Sequence, residues 1–257
     1  MIWLYVQAPF AAFRTFTAGW YRPTASFMTP SAAYGLIMNV AGVETRRDDG
    51  LSPMTVTKLG LPSVRIALGA VVDPTKDRAT GPGDMDSKGL PTVHTLFQQL
   101  HNYPVGASGK ERKEDAKGNK YNITPVRREF LAGLRVCIGL DGEPWLENLL
   151  REGLSGAHAR YGIPFLGDNA FLIDRLELRE SPMPARWYRR LGPDDQDPVV
   201  TSTTRLTIWI DRQDMSRTRS ALYAPDERPS NVIPEDAYWT SIEPPGEPVT
   251  AKKSAKK

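Results

Sequence analysis

Apolar and polar positions along this chain mark out most of its elements. Ile2 to Val6 is a short apolar run that reads as a strand. Thr29 suits an N-cap and Pro30 a first helical position, where its missing N–H costs nothing. Ala33, Leu36, Ile37 and Val40 then recur at the spacing of one buried helical face, and Gly42 offers a stop. Ser63 to Val72 reads as a strand ended by Asp73-Pro74, followed over 73–91 by a Gly-, Pro-, Asp- and Lys-rich excursion. Val93, Leu96, Phe97 and Leu100 have helical spacing, yet their flanking prolines also allow an extended segment. Tyr103 to Asn122 is a loop and Arg127 to Leu140 a strand long enough to bend. Glu143 to Gly153 is a helix with Trp145, Leu146, Leu149 and Leu150 on its apolar side. Phe171 to Leu178 and Thr203 to Ile210 are further strands.

Composition adds outer bounds. The chain has 257 residues, 40% hydrophobic and 25% charged, ordinary values for a globular protein with one large or two small domains. No apolar run is long enough to span a bilayer, and no basic stretch precedes the first strand, so neither a membrane nor a signal peptide is expected. The single cysteine, Cys137, excludes an intramolecular disulfide and fits a reducing cytoplasm. Its apolar surroundings predict a buried, inert thiol. Residues 243–257 end in a lysine-rich run and read as a disordered basic tail.

The net charge of +3 is small, and its distribution says more. No Asp or Glu precedes Glu44, while Arg14 and Arg22 sit among Phe13, Phe16, Trp20, Tyr21 and Phe27, with Thr15 and Ser26 in the same loop. Arginines meet phosphate oxygens and rings stack on bases, so such a loop suits an RNA strand. The same rings would serve equally well as a cover packed inward on the core. A second basic cluster comprises Lys110, Arg112, Lys113, Lys117 and Lys120, continuing into Arg127 and Arg128. Glu111, Glu114 and Asp115 partly cancel it, which leaves a solvated loop as the plainer reading. A third, Arg186 to Arg190 with Trp187 and Tyr188, suits RNA or protein alike.

Other chemistry finds little support. One cysteine and three scattered histidines, His94, His101 and His158, give no zinc spacing, and neither metal nor other cofactor is expected. Gly81-Pro82-Gly83-Asp84 lacks the lysine of a phosphate loop, and Gly153-Leu154-Ser155-Gly156 lacks the spacing of a nucleophile elbow. The order of elements fits an α+β, ferredoxin-like βαββαβ sheet. The C-terminal part then forms a small second lobe or adds strands to the sheet edge.

Three patches carry a family resemblance. The Ile2–Val6 strand leads into Pro-Phe-Ala-Ala-Phe-Arg (9–14), an aromatic loop, and Thr-Pro-Ser-Ala-Ala-Tyr-Gly-Leu-Ile (29–37). Arg127-Arg128-Glu129-Phe130-Leu131 and the segment 161–169 (Tyr-Gly-Ile-Pro-Phe-Leu-Gly-Asp-Asn) follow in order. Together they resemble the CRISPR-associated family numbered five, of the RAMP superfamily of RNA-binding proteins, nearest to a type I-B system. The resemblance implies an RRM-like RAMP domain over 1–180 whose 103–122 loop forms a long basic β-hairpin thumb, and a β-rich extension over 181–242. It also implies a strand near Val93–Tyr103. Its function would be non-catalytic: capping a Cascade-type complex and anchoring the 5′ handle of the guide RNA, in defence or in transposon-guided targeting. Arg14, Arg22, Arg127 and Arg128 would grip phosphates, and Trp20, Tyr21 and Phe27 would stack on or wedge between bases. Its partners would be the guide RNA, the repeated backbone subunits, the large subunit and, indirectly, target DNA. Some relatives are guide-processing ribonucleases using Tyr, Lys and His, which makes metal-independent endoribonuclease the alternative. Here no Lys-His pair occurs.

Overall fold

In the computed structural model the described residues are 1–15, 21–48, 50, 56–72, 89–102, 122–160, 162–192, 202–212 and 214–241. Side chains are described for all of these except 99–102, 122–125 and 215.

The first strand, β1 (Ile2–Ala11), outruns the apolar run that announced it. After a two-residue strand, β2 (Tyr21–Arg22), helix α1 (Pro30–Val40) begins with the expected cap: Thr29 Oγ1 accepts from the Ala32 amide at 3.2 Å. A small pair, β3 (Arg46–Arg47) and β4 (Val56–Thr57), precedes β5 (Arg65–Val71). The ambiguous stretch is β6 (Thr92–Asn102), an extended strand. It pairs antiparallel with β7 (Asn122–Asp141), which feeds α2 (Pro144–Ser155). The remaining strands are β8 (Arg175–Arg179), β9 (Ala185–Arg190), β10 (Thr204–Trp209), β11 (Arg219–Pro225) and β12 (Tyr238–Thr240).

Ten strands form one sheet in the order β10-β11-β9-β5-β7-β1-β8, with β12 on β5 and β2 and β6 on β7. In its centre β5, β7, β1 and β8 are each antiparallel to their neighbours. Helix α1 lies in the β1-to-β5 connection and α2 in that from β7 to β8. Alternation along the strands divides the core. Leu4, Val6, Leu68, Val136 and Ile138 pack with Ile37, Met38 and Leu146 of the helices. Tyr5, Ala67, Cys137, Ala185 and Trp187 form a second cluster. Burial pushes the Cys137 thiol up to about 11, so it stays protonated at neutral pH.

The 20-residue β7 serves two structures. Its second half is a central sheet strand, whereas from Ala132 back to Asn122 it pairs with β6 as an arm of eleven residue pairs, roughly 33 Å long. Gly133, at φ +72°, sits where arm meets sheet; only a residue without Cβ takes that backbone cheaply, so the strand can turn without breaking. The Arg186–Arg190 cluster lies on strand β9, with its first three residues turned inward and Arg189 and Arg190 exposed. Arg186, Trp187 and Tyr188 are buried, and Arg189 Nε donates to Asp236 Oδ2 at 2.6 Å. The strand predicted over Phe171–Leu178 begins only at Arg175, because Leu166 and Phe171 close a turn before it. Among the described residues no helix is long and apolar enough to cross a membrane.

Candidate nucleic-acid interface

Backbone pairing folds the N-terminal loop onto the base of the arm. The Ala25 amide donates to Phe13 O at 2.8 Å and the Phe13 amide to Thr24 Oγ1 at 2.9 Å, turning the chain back on itself. Tyr21 and Arg22 then pair in parallel with Arg127 and Arg128 of β7. Glu129 fastens this join: it accepts from the Thr24 amide at 3.1 Å and from the Tyr21 hydroxyl, whose pKa that hydrogen bond raises. The turn at 164–168 closes the other side, with the Ala12 amide donating to Leu166 O at 2.9 Å. Gly167 permits this approach, since at φ +85° any Cβ would overlap the Ala12 carbonyl oxygen. The three separated patches of the sequence thus become one surface.

Asp168 lies at its centre. The Ala170 amide donates to its carboxylate at 3.1 Å and Arg128 forms an ion pair with it; together they hold Asp168 below the usual carboxylate range. Arg128 also donates to Gln98 Oε1 at 3.3 Å and lies 6.0 Å from the Phe171 ring centre. Burial and the nearby charges of Arg22 and Arg128 lower the pKa of Arg14. Arg14 and Arg128 therefore share one carboxylate, with Arg22 close to Arg14, which leaves the cluster cationic. Among the described residues neither Arg14 nor Arg22 is ion-paired.

The predicted residues fare differently. Arg14 and Arg127 are exposed, Thr15, Arg22 and Ser26 half-buried, and Tyr21 is 36% exposed with Arg127 5.1 Å from its ring centre. Phe27 is a correction: its ring is 0% exposed and stacked on Tyr188, centroids 4.1 Å apart and planes 6° apart. It packs the core and offers no face to a base. Arg128 is a second correction, being 8% exposed and clamped by Asp168 instead of free for phosphate. Phe16, Trp20, Lys110, Arg112, Lys113, Lys117 and Lys120 lie outside the described residues.

Features the sequence reading missed complete the surface. Phe10, Phe130 and Phe171 form a ring cluster with centroids 5.4–6.2 Å apart, and His94 stacks on Phe130 at 5.7 Å. Phe10 near the end of β1 and Phe130 of the Arg-Glu-Phe-Leu element supply two of these rings, but nothing local placed them together. Beside Arg14 runs a groove of about 830 Å³. Its floor includes Ala32 and Gly35 of α1, Ile163 and Phe165 line it, and Arg46 and Arg212 add cations, with Arg46 shared by Glu44 at 3.2 Å. A Cβ on Gly35 would meet nothing, so the helix wall is smooth and open there.

The histidines are dispersed. His94 Nε2 lies 2.9 Å from Thr92 Oγ1, and His158 Nε2 lies 3.2 Å from Val40 O at the end of α1. The His101 side chain is outside the described residues.

One solved structure, described as "CRISPR RNA-guided surveillance complex", aligns at 16% identity with a TM-score of 0.48, covering 92% of this chain and 95% of the other. A second, described as "Crystal structure of Cas protein", aligns at 16% identity with a TM-score of 0.41, covering 91% and 97%. No curated protein matches the chain. Residues 1–161, more than half of the chain and inclusive of α1, the arm and α2, match a family of known sequences. The chain belongs to that family, CRISPR-associated protein (Cas_Cas5).

Proposed function

We propose that this protein is a non-catalytic, RNA-binding subunit of a type I CRISPR effector complex of the Cascade type, where it caps one end and anchors the 5′ handle of the guide RNA. The observation that carries this reading is the gathering of Arg14 and Arg128 around the carboxylate of Asp168, with Arg22 close to Arg14, beside an open groove with apolar walls. Phosphates would meet Arg14 and Arg22, and bases would lie against the groove and the exposed rings. Arg128 would act through position, holding the 164–168 turn in place. Strand order β8-β1-β7-β5 with a helix in each crossover supports a ferredoxin-like βαββαβ domain over 1–180, and β9 to β12 would be its β-rich extension. The β6–β7 arm supports the thumb: its tip would carry the 103–122 loop toward the guide and the adjoining backbone subunit. The large subunit and, through the guide, target DNA complete the set of partners.

The test is guide retention by the assembled complex as a function of salt. Each phosphate contact to a single strand contributes about 0.7 to the slope of log affinity against log salt, so replacing Arg14 and Arg22 by alanine should lower that slope by roughly 1.4. Unchanged slope and retention would remove this surface from the account. Discrete cleavage of repeat RNA in EDTA, abolished by His94→Ala, would replace the scaffold reading with an endoribonuclease.

A further inference from the structure

Both helices end at one junction. Neither α1 nor α2 has a basic residue in its last turn, so the partial negative charge of each C-terminus draws its cation from elsewhere. The segment after α2 supplies two. His158 Nε2 donates to Val40 O, the last residue of α1, at 3.2 Å, and Arg160 Nη2 donates to Gly153 O of α2 at 2.5 Å. The other ring nitrogen, His158 Nδ1, lies 3.9 Å from Glu152 Oε2. Both nitrogens thus face acceptors, an arrangement suited to the protonated ring, which carries a proton on each. Glycines make the room: a Cβ on Gly42 would stand 2.9 Å from Nε2, and one on Gly153 3.0 Å. Among the described residues the charged groups of this junction are Glu152 of α2 and Arg160 of the ring's own segment; the end of α1, residues 39–42, has none. From here the two walls of the groove set out. The chain leaving α1 lines it with residues 43–46, and the chain leaving Arg160 lines it with 162–167. Asn39 joins them, its Nδ2 donating to Gly162 O at 3.4 Å.

We propose that His158 is a positioning residue for the groove: protonated, it holds the roots of both walls together, and its deprotonation lets them part. It touches no ligand and acts through Val40 and Glu152 alone. The charged ring meets the negative end of α1 and the Glu152 carboxylate at once, whereas the neutral ring keeps one hydrogen bond and loses the ion pair. Histidine changes charge between about pH 5 and 8, so the width of the groove follows pH in that range. This role rests on the reading that the groove receives the guide, and it gives guide binding a pH dependence that Arg14 and Arg22, charged throughout the range, do not supply.

The test is hydrogen–deuterium exchange of the full chain at about pH 5.5 and about pH 8, corrected for intrinsic rates. In wild type, protection over 43–46 and 162–167 is expected to fall roughly two- to fivefold from the lower to the higher pH. His158→Gln keeps a donor for Val40 O but has no charge to lose, so its protection should be the same at both. Glu152→Gln, at an exposed position, removes the acceptor facing Nδ1 and should reduce the fall; it carries the test if His158→Gln folds poorly. Flat protection in wild type, or an undiminished fall in the variants, overturns the proposal and leaves His158 a space-filling residue. Guide affinity of the assembled complex at the same two pH values keeps the two readings apart. A parallel two- to fivefold weakening in wild type, absent in His158→Gln, supports both. A wall response without any change in affinity leaves the His158 clasp standing and removes the guide from the groove.

Discussion

Phe27→Ala gives the sharpest check on the interface, because the aromatic loop suggests a base contact and the fold makes Phe27 a core residue. Its ring is fully enclosed and lies flat on Tyr188, itself 3% exposed, with 4.1 Å between centroids. Truncating a buried phenylalanine costs about 3–5 kcal/mol through lost transfer energy and the cavity left behind. The stacked pair alone supplies about 0.5–1.5 kcal/mol beyond its area. For a chain of this size the melting temperature should fall by roughly 6–20 °C. The assay is thermal unfolding followed by circular dichroism, with guide affinity measured well below the variant's transition. Affinity for RNA should stay within about twofold there. A melting temperature unchanged from wild type, with binding weakened fivefold or more, would refute the reasoning and return Phe27 to the nucleotide.

The remaining predictions concern the supports of the site. Gly153→Ala places a methyl on the Val40 carbonyl where the ends of the helices meet; overpacking of this kind costs about 1–3 kcal/mol and should lower the urea midpoint. Gly167→Ala meets both a positive φ and the Ala12 carbonyl, so it should lower stability and guide affinity together, because the displaced turn no longer brings Asp168 to Arg128. Asp168, whose folded-state pKa is depressed by the Ala170 amide and Arg128, contributes stability that is complete above its unfolded value. That contribution is lost as pH falls through the folded value. A pH series of denaturant midpoints below about pH 4 should therefore show an acid limb that Asp168→Asn flattens. An identical limb in the variant would assign it to other carboxylates.

Local pattern revealed most elements because the information is local. Period-3.6 recurrence marked α1 and α2, and the Thr29-Pro30 cap placed the start of α1 correctly. Strand β6 escaped this reading: Val93, Leu96, Phe97 and Leu100 happen to have helical spacing, so their periodicity misleads until β7 is present as a partner.

By itself the sequence determined the composition of the interface: an acid-free aromatic loop, an Arg-Arg-Glu-Phe-Leu element and a Leu-Gly-Asp turn, each carrying its chemistry in adjacent residues. Tertiary structure decided which of those groups are available. Phe27 and Tyr21 look alike in the chain, yet one is enclosed by Tyr188 and the other stands at the base of the arm. Arg127 and Arg128 are neighbours, yet strand alternation and a carboxylate forty positions away separate an exposed cation from a clamped one. Exposure and pairing depend on contacts between distant segments, and those contacts exist only once the sheet register is set.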